Sequence, residues 1–139
     1  MSLESNKRAV HRYCEELFTA GKLDVADELL TDDIIFSGPF GTVRGREELK
    51  RFVAMLRQAF ADFRMSDELN IAEENRVASL FTMSGLHRGD YHGIPATGNS
   101  MSVRGIDIFR FSGDRIAEIV AVIDSLMLMQ QLGIVAVQT

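Results

Sequence analysis

Val103-Arg104-Gly105-Ile106-Asp107-Ile108-Phe109-Arg110-Phe111 is the stretch that decides how this chain folds. Apolar residues at every second position, broken by charges, are the mark of a strand with one buried face. Before it stands Gly85-Leu86-His87-Arg88-Gly89, separated by a Gly/Pro/Thr-rich turn; after it, beyond Ser112-Gly113-Asp114, comes a run from Arg115 to Asp124. Three strand-like runs joined by such turns predict consecutive antiparallel hairpins. Alternation also puts Asp107 on the same face as Phe109 and Phe111. A carboxylate among aromatics is costly to bury unless it is paired or protonated. Asp107 is therefore either the working group of an apolar pocket or a structural carboxylate, paired with an arginine or hidden at a strand end.

Outward from there, Arg76 to Arg88 predicts the preceding strand, and Glu73-Glu74-Asn75 a turn before it. Phe63, Met65, Asp67, Leu69 and Ile71 recur with period two, one strand face on which Asp67 is the polar exception. Gly45-Arg46-Glu47-Glu48 opens a helix whose apolar stripe is Leu49, Phe52, Val53, Leu56 and Phe60. Ile34-Ile35-Phe36-Ser37 is a short strand ended by Gly38-Pro39. Asp24 is placed to cap a short helix carrying Val25, Ala26, Leu29 and Leu30. Glu4 to Ala20 predicts the first helix, with Gly21 as its stop; Ser2 and Leu3 carry no weight in this reading. At the other end Leu126 to Leu132 forms a final helix, with Asp124 as its cap and Gly133 behind it. Three helices around one short strand, followed by four hairpin-joined strands, predict an α+β fold with a curved antiparallel sheet closing over the helices. No linker or repeat divides the chain, so residues 1–139 are expected to form a single domain.

A net charge of −5 with no Lys/Arg cluster excludes nucleic acid as the natural partner. Cys14 is the sole cysteine, and His11, His87 and His92 lack metal-motif spacing, so neither a disulfide framework nor a metal site is expected. No apolar run reaches the roughly 18 residues that span a bilayer, and no apolar core of a signal peptide follows Met1. No membrane partner is expected, and the cytoplasm is the default location.

Parity assigns the two faces of the sheet. With Asp107 on the inner face fall Phe81, Met83, Gly85 and His87 of the preceding strand, and Ala117, Ile119, Ala121 and Ile123 of the following one. The outer face carries Leu80, Leu86, Ile106, Ile108, Val120 and Val122, with Arg104, Arg110 and Glu118 among them. Helices can cover only one apolar face in so short a chain, so a homodimer through the outer face is expected.

The ordered set Gly85-x-His87-x-Gly89, Gly93-Ile94-Pro95-Ala96-Thr97-Gly98, Val103 to Phe111, Ile116-Ala117-Glu118, Asp124 and Gln130-Gln131-Leu132-Gly133 resembles the SnoaL-like polyketide cyclases of the nuclear transport factor 2-like superfamily. The resemblance implies a cone-shaped curved sheet packed on three N-terminal helices, with a deep apolar pocket between them. It also implies cofactor-free closure of polyketide rings by an intramolecular aldol step, with a pocket Asp as acid/base. In those cyclases the Asp follows a Glu-x-Trp on the last strand, which places it at Ala121 here and the Trp at Val120. Asp107 stands where they carry a second pocket group, often His. Steroid isomerases of the same superfamily carry an Asp in Ile-Asp-x-Phe-Arg-Phe, protonated and donating to an oxyanion, which Asp107 matches. Their general base precedes the Pro of the first strand's exit turn, which is Gly38 in this chain.

The candidate catalytic residues are therefore Asp107, a neutral acid or oxyanion donor, and His87, either its proton partner or orienter across the hairpin or a histidine satisfied by backbone at the pocket mouth. Candidates for binding an apolar small molecule are Tyr13 and Phe36 from the N-terminal half and Phe81 and Met83 from the strand before Asp107. Phe109, Phe111, Ile119, Ala121 and Ile123 complete the set. Tyr91 and His92 read as solvent-exposed turn residues, and Arg104 and Arg110 as partners for Glu118 or a second subunit. Three functions remain open at this stage: a cofactor-free cyclase or isomerase, a non-catalytic binding or dimerisation module, and an epoxide-type hydrolase using Asp107, Asp124 or Asp67 with an inward arginine.

Overall fold

The computed structural model describes residues 2–136; the outermost residues of the expected 1–139 domain lie outside these. The chain begins with α1 (Leu3–Arg12), which continues into a π-helical segment (Tyr13–Thr19), then α2 (Val25–Leu29). β1 (Leu30–Gly38), β2 (Gly41–Arg44) and α3 (Arg46–Ala59) follow. β3 (Phe60–Glu73), β4 (Arg76–His87), β5 (Ser100–Ser112) and β6 (Arg115–Ile123) lead to α4 (Ser125–Gln131). The strands form one six-stranded sheet in the order β2-β1-β6-β5-β4-β3. The expected α+β architecture holds, with two additions. β2, only four residues long, pairs with β1, and β1 lies parallel to β6 in an otherwise antiparallel sheet. A strand this short carries no readable alternation.

Local chemistry explains the ends of the helices. Ser2, set aside in the sequence, caps α1 in a reciprocal box: its Oγ accepts from the Ser5 amide at 3.0 Å while Ser5 Oγ accepts from the Ser2 amide at 2.9 Å. Asp24, the expected cap of α2, makes no such bond. Asp124 does cap α4 as expected, its Oδ1 accepting from the Met127 amide at 3.1 Å. The helices bury Val10, Leu17, Leu49, Val53 and Leu56 against the inner face of the sheet, where they meet Phe60, Phe109 and Ile119.

Two β-bulges correct the simple parity reading. Between Asp67 and Leu69 the register on β4 steps from Phe81 to Leu80, so one residue is inserted and the alternation reverses. Phe63 and Met65 therefore point inward, whereas Leu69 and Ile71, expected on the same face, are exposed at 53% and 60%. A second irregularity between Arg110 and Phe111 sets Phe111 opposite Ile116 and puts Ile116, rather than the expected Ala117, in the core. On the outer face, register aligns Leu69, Leu80, Ile106 and Val122 in one row and Ile71, Ala78, Ile108 and Val120 in the next. Ion pairs flank these rows: Arg104 with Glu68 at 3.0 Å and, as expected, Arg110 with Glu118 at 3.3 Å.

Candidate active-site pocket

The first helix supplies one wall of the site through a change of pitch. In a π-helix residues five apart stack along one side, and Tyr13 and Phe18 are five apart. Their ring centroids lie 4.7 Å from each other, and both line an apolar cavity of about 120 Å³ between the helices and the sheet. Phe52 and Leu56, one turn apart on α3, close a second side. The β1–β2 turn, Gly38 to Gly41, and the loop carrying Tyr91 and His92 form the mouth.

Asp107 reaches this cavity from β5 and is 1% exposed. Neither carboxyl oxygen has a protein hydrogen-bond partner. Burial alone pushes its pKa up to about 8, so the carboxyl is protonated at neutral pH. The Tyr13 hydroxyl is likewise buried and unpartnered, and burial, with the nearby Asp107, raises its pKa well above the phenolic range. Directly across the strands from Asp107 stand Ser79, whose Oγ is also unpartnered, and Ala121. Asp107 and Tyr13 are thus two neutral O–H donors without a hydrogen-bond partner among the described residues.

Of the ligand-binding candidates, Tyr13, Phe36, Phe81, Met83, Ala121 and Ile123 line the cavity. Phe109, Phe111 and Ile119 do not; all three lie in the core. Phe109 sits behind Tyr13, edge-on to its ring at 5.0 Å, which screens it from the cavity.

His87 is not brought to Asp107. It lies eight residues along β4 from Ser79, the cross-strand partner of Asp107, or roughly 25 Å of strand. Its Nδ1 accepts from the Thr97 amide at 3.2 Å, while its backbone bonds Asn99 and Gly98 at 2.9 Å. His87 therefore organises the loop at the mouth and cannot orient Asp107. Nor do the three carboxylates of the hydrolase reading converge. Asp67 accepts from His11 at 2.9 Å and from Asn70 at 2.7 Å, Asp124 caps α4, and no arginine lines the cavity.

Tyr91 corrects the opposite expectation, whereas His92 is solvent-exposed as expected. Tyr91 is 2% exposed and packs edge-on against Phe60 at 5.1 Å and Phe40 at 5.5 Å. His92 remains partly in solvent but stacks on Phe40 at 3.9 Å and lines the cavity. Phe18, Phe40, Val43, Phe52, Leu56 and Met65 also line the cavity, although none stands out in the sequence from ordinary core residues.

The sequence profile of the SnoaL-like polyketide cyclases matches residues 8–132. The chain belongs to that family. No curated protein matches this SnoaL-like domain in sequence. Among solved structures it is similar to TsrD from Streptomyces laurentii, at 24% identity and TM-score 0.89, covering 97% of this chain and 99% of that one. A proposed SnoaL-like polyketide cyclase from Jannaschia sp. CCS1 is 23% identical, with TM-score 0.85 and coverage of 93% and 92%. A protein with a ketosteroid isomerase-like fold from Catenulispora acidiphila, in complex with trimethylamine, is 16% identical, with TM-score 0.79 and coverage of 94% and 96%. These likenesses establish the fold.

Gly38 and Ala121, the positions at which the sequence resemblance implies a base in the related families, both lie on the cavity wall of this SnoaL-like domain. A Cβ at Gly38 would sit 2.7 Å from the Phe36 ring, so that ring occupies the space a side chain there would need.

Proposed function

We propose that this SnoaL-like protein carries out cofactor-free acid/base chemistry on an apolar carbonyl compound of polyketide type, by aldol-type cyclisation or isomerisation. The observation that carries the proposal is Asp107, fully buried in an apolar cavity, neutral, and without a protein partner. A substrate carbonyl oxygen beside Asp107 and Tyr13 would meet two O–H donors. As an α-proton leaves, negative charge grows on that oxygen and both hydrogen bonds strengthen, so the enolate is favoured over the ketone. The enolate carbon then attacks a second carbonyl in a cyclisation, or is reprotonated elsewhere in an isomerisation. Asp107 and Tyr13 are both buried among apolar side chains, where a hydrogen bond is stronger than in water.

Enolisation is common to both outcomes and is measurable without the natural substrate. In D₂O, hydrogen exchange at the α-carbon of small aromatic ketones such as 1-indanone and 2-tetralone, followed by NMR, should exceed the buffer rate. Asp107→Leu should cut it by about 10²- to 10³-fold, the usual cost of losing an oxyanion donor. Exchange at the buffer rate across the ketone panel, or full exchange in Asp107→Leu, would reject the proposal.

The second reading is a binding module without turnover, favoured by the side-chain-poor Gly38 and Ala121 on the cavity wall. Ligand-dependent rises in melting temperature without any exchange would establish it. A homodimer through the outer sheet face, and a cytoplasmic setting, belong to the same proposal. The support for the dimer is the two exposed apolar rows, within which Val122 is 64% and Ile106 47% exposed.

A further inference from the structure

We propose that His92, at the mouth of the cavity, is the base of the site, replacing the side chains missing at Gly38 and Ala121. The inference rests on the reading of Asp107 as an acid. Four ionisable residues line the cavity: Tyr13, Tyr91, His92 and Asp107. Burial holds both tyrosines and Asp107 protonated, Tyr91 with a pKa raised to about 12. Thr42 and the remaining apolar side chains accept no proton near neutrality. Among the described residues that line the cavity His92 alone can act as a base: partial burial outweighs the opposite pull of Asp90 and shifts its pKa downward, which favours the neutral imidazole. Asp90 and Tyr91 are the titratable groups beside it, and Asp90 is engaged by the Gly93 amide at 2.9 Å.

The backbone fixes where that ring goes. Tyr91 and Ile94 exchange two 2.9 Å hydrogen bonds, and between them His92 and Gly93 both have positive φ, +49° and +85°. This is a tight turn with the two left-handed central residues of type I′. The first central position of such a turn is usually Asn, Asp or Gly. Here the strained position aims the imidazole across the mouth onto Phe40, the ring planes 14° apart. Phe40 follows Gly38-Pro39, so His92 stacks over the turn from which the steroid isomerases supply their base. One wall of the mouth is empty of a base, and the opposite wall provides one.

The step is a simple proton transfer. A ring nitrogen of neutral His92 takes the α-proton, and the C–H electron pair becomes the C=C bond of the enol. The carbonyl π pair moves onto oxygen, which Asp107 and Tyr13 stabilise. The imidazolium then returns its proton to another carbon, or to solvent at its exposed edge.

Two measurements test this. Phenacyl bromide combines an apolar aromatic ketone with an adjacent electrophilic carbon. Held by Asp107 and Tyr13, it should be attacked by a His92 nitrogen, with the C–N bond forming as bromide leaves. Peptide mapping should place the adduct on His92, with labelling at least about tenfold slower in Asp107→Leu. An adduct on Cys14, His11 or His87 instead, or labelling of His92 no faster than of free imidazole, would overturn the proposal. In the ketone-exchange assay, His92→Asn, which suits the same turn, should lose about 10²-fold or more of the rate while still binding 2-naphthol. Wild-type exchange retained in that variant would equally overturn it. If the wild type shows no exchange, the proposed function fails, and the labelling experiment still decides His92.

Discussion

Asp107 should make this protein less stable as pH rises through the neutral range. In the unfolded chain its carboxyl returns to the ordinary value of 3.8, against about 8 when folded. Above pH 4 the unfolded state therefore gives up a proton that the folded state keeps. The unfolded state binds fewer protons, so stability falls with pH. The full contribution is present below the unfolded pKa, and the decline ends above the folded one. Across that window the slope is about 1.4 kcal/mol per pH unit. At pH 7 the accumulated cost is about 4 kcal/mol, a large share of the ~5–15 kcal/mol that holds a domain folded. Asp107→Asn removes the titration and conserves the shape. Urea unfolding of both proteins between pH 5 and pH 8, followed by circular dichroism at fixed salt, isolates Asp107 because every other titrating group is shared. The variant should gain about 3–4 kcal/mol over the wild type across that range. A difference that does not change with pH, or one that favours the wild type as pH rises, would refute the reasoning. The latter would mean that a cation pairs with the carboxylate.

Asp124→Ala removes the cap of α4 and should cost about 1 kcal/mol in urea unfolding, with hydrogen exchange accelerated mainly in Ser125–Gln131. Gly105→Ala would place a Cβ 2.7 Å from the Val122 carbonyl oxygen and 2.5 Å from the Phe81 ring, beside the cavity. It should lower stability by about 1–3 kcal/mol, seen as a lower melting temperature. If a second copy covers the outer face, Val122→Glu should convert dimer to monomer in sedimentation equilibrium, and a dimer that survives would move the interface elsewhere.

Alternation in Val103 to Phe111 was enough to place Asp107 among buried aromatics, because period-two patterning translates directly into a sheet face. It could not separate the residues that line the cavity from those behind them. Phe36 and Phe81 touch the cavity while Phe109 and Phe111 do not, a distinction made by the Tyr13 ring lying across Phe109. Alternation puts Leu69 and Ile71 on one face with Phe63 and Met65, and Ala117 inward, and both assignments fail because a β-bulge adds one residue without any reliable trace in composition. His87 shares a face with Asp107, and parity says nothing about how far apart two residues on one face are. His92 was hidden differently: its turn residues read as ordinary loop, and its importance depends on Phe40, more than fifty positions earlier in the sequence.

By itself the sequence determined the order of helices and strands apart from β2, the hairpin turns of the last four strands, the two faces of β5 and the place of one carboxyl among aromatics. These are properties of neighbours in the chain, fixed by local periodicity and side-chain chemistry. The tertiary structure alone decided which residues share the cavity. It showed that His87 tethers a loop, that Gly38 and Ala121 lie on the cavity wall, and that an imidazole stands at the mouth. Those facts depend on bulges, a π-helical turn and packing between distant segments, and no local pattern encodes such distances.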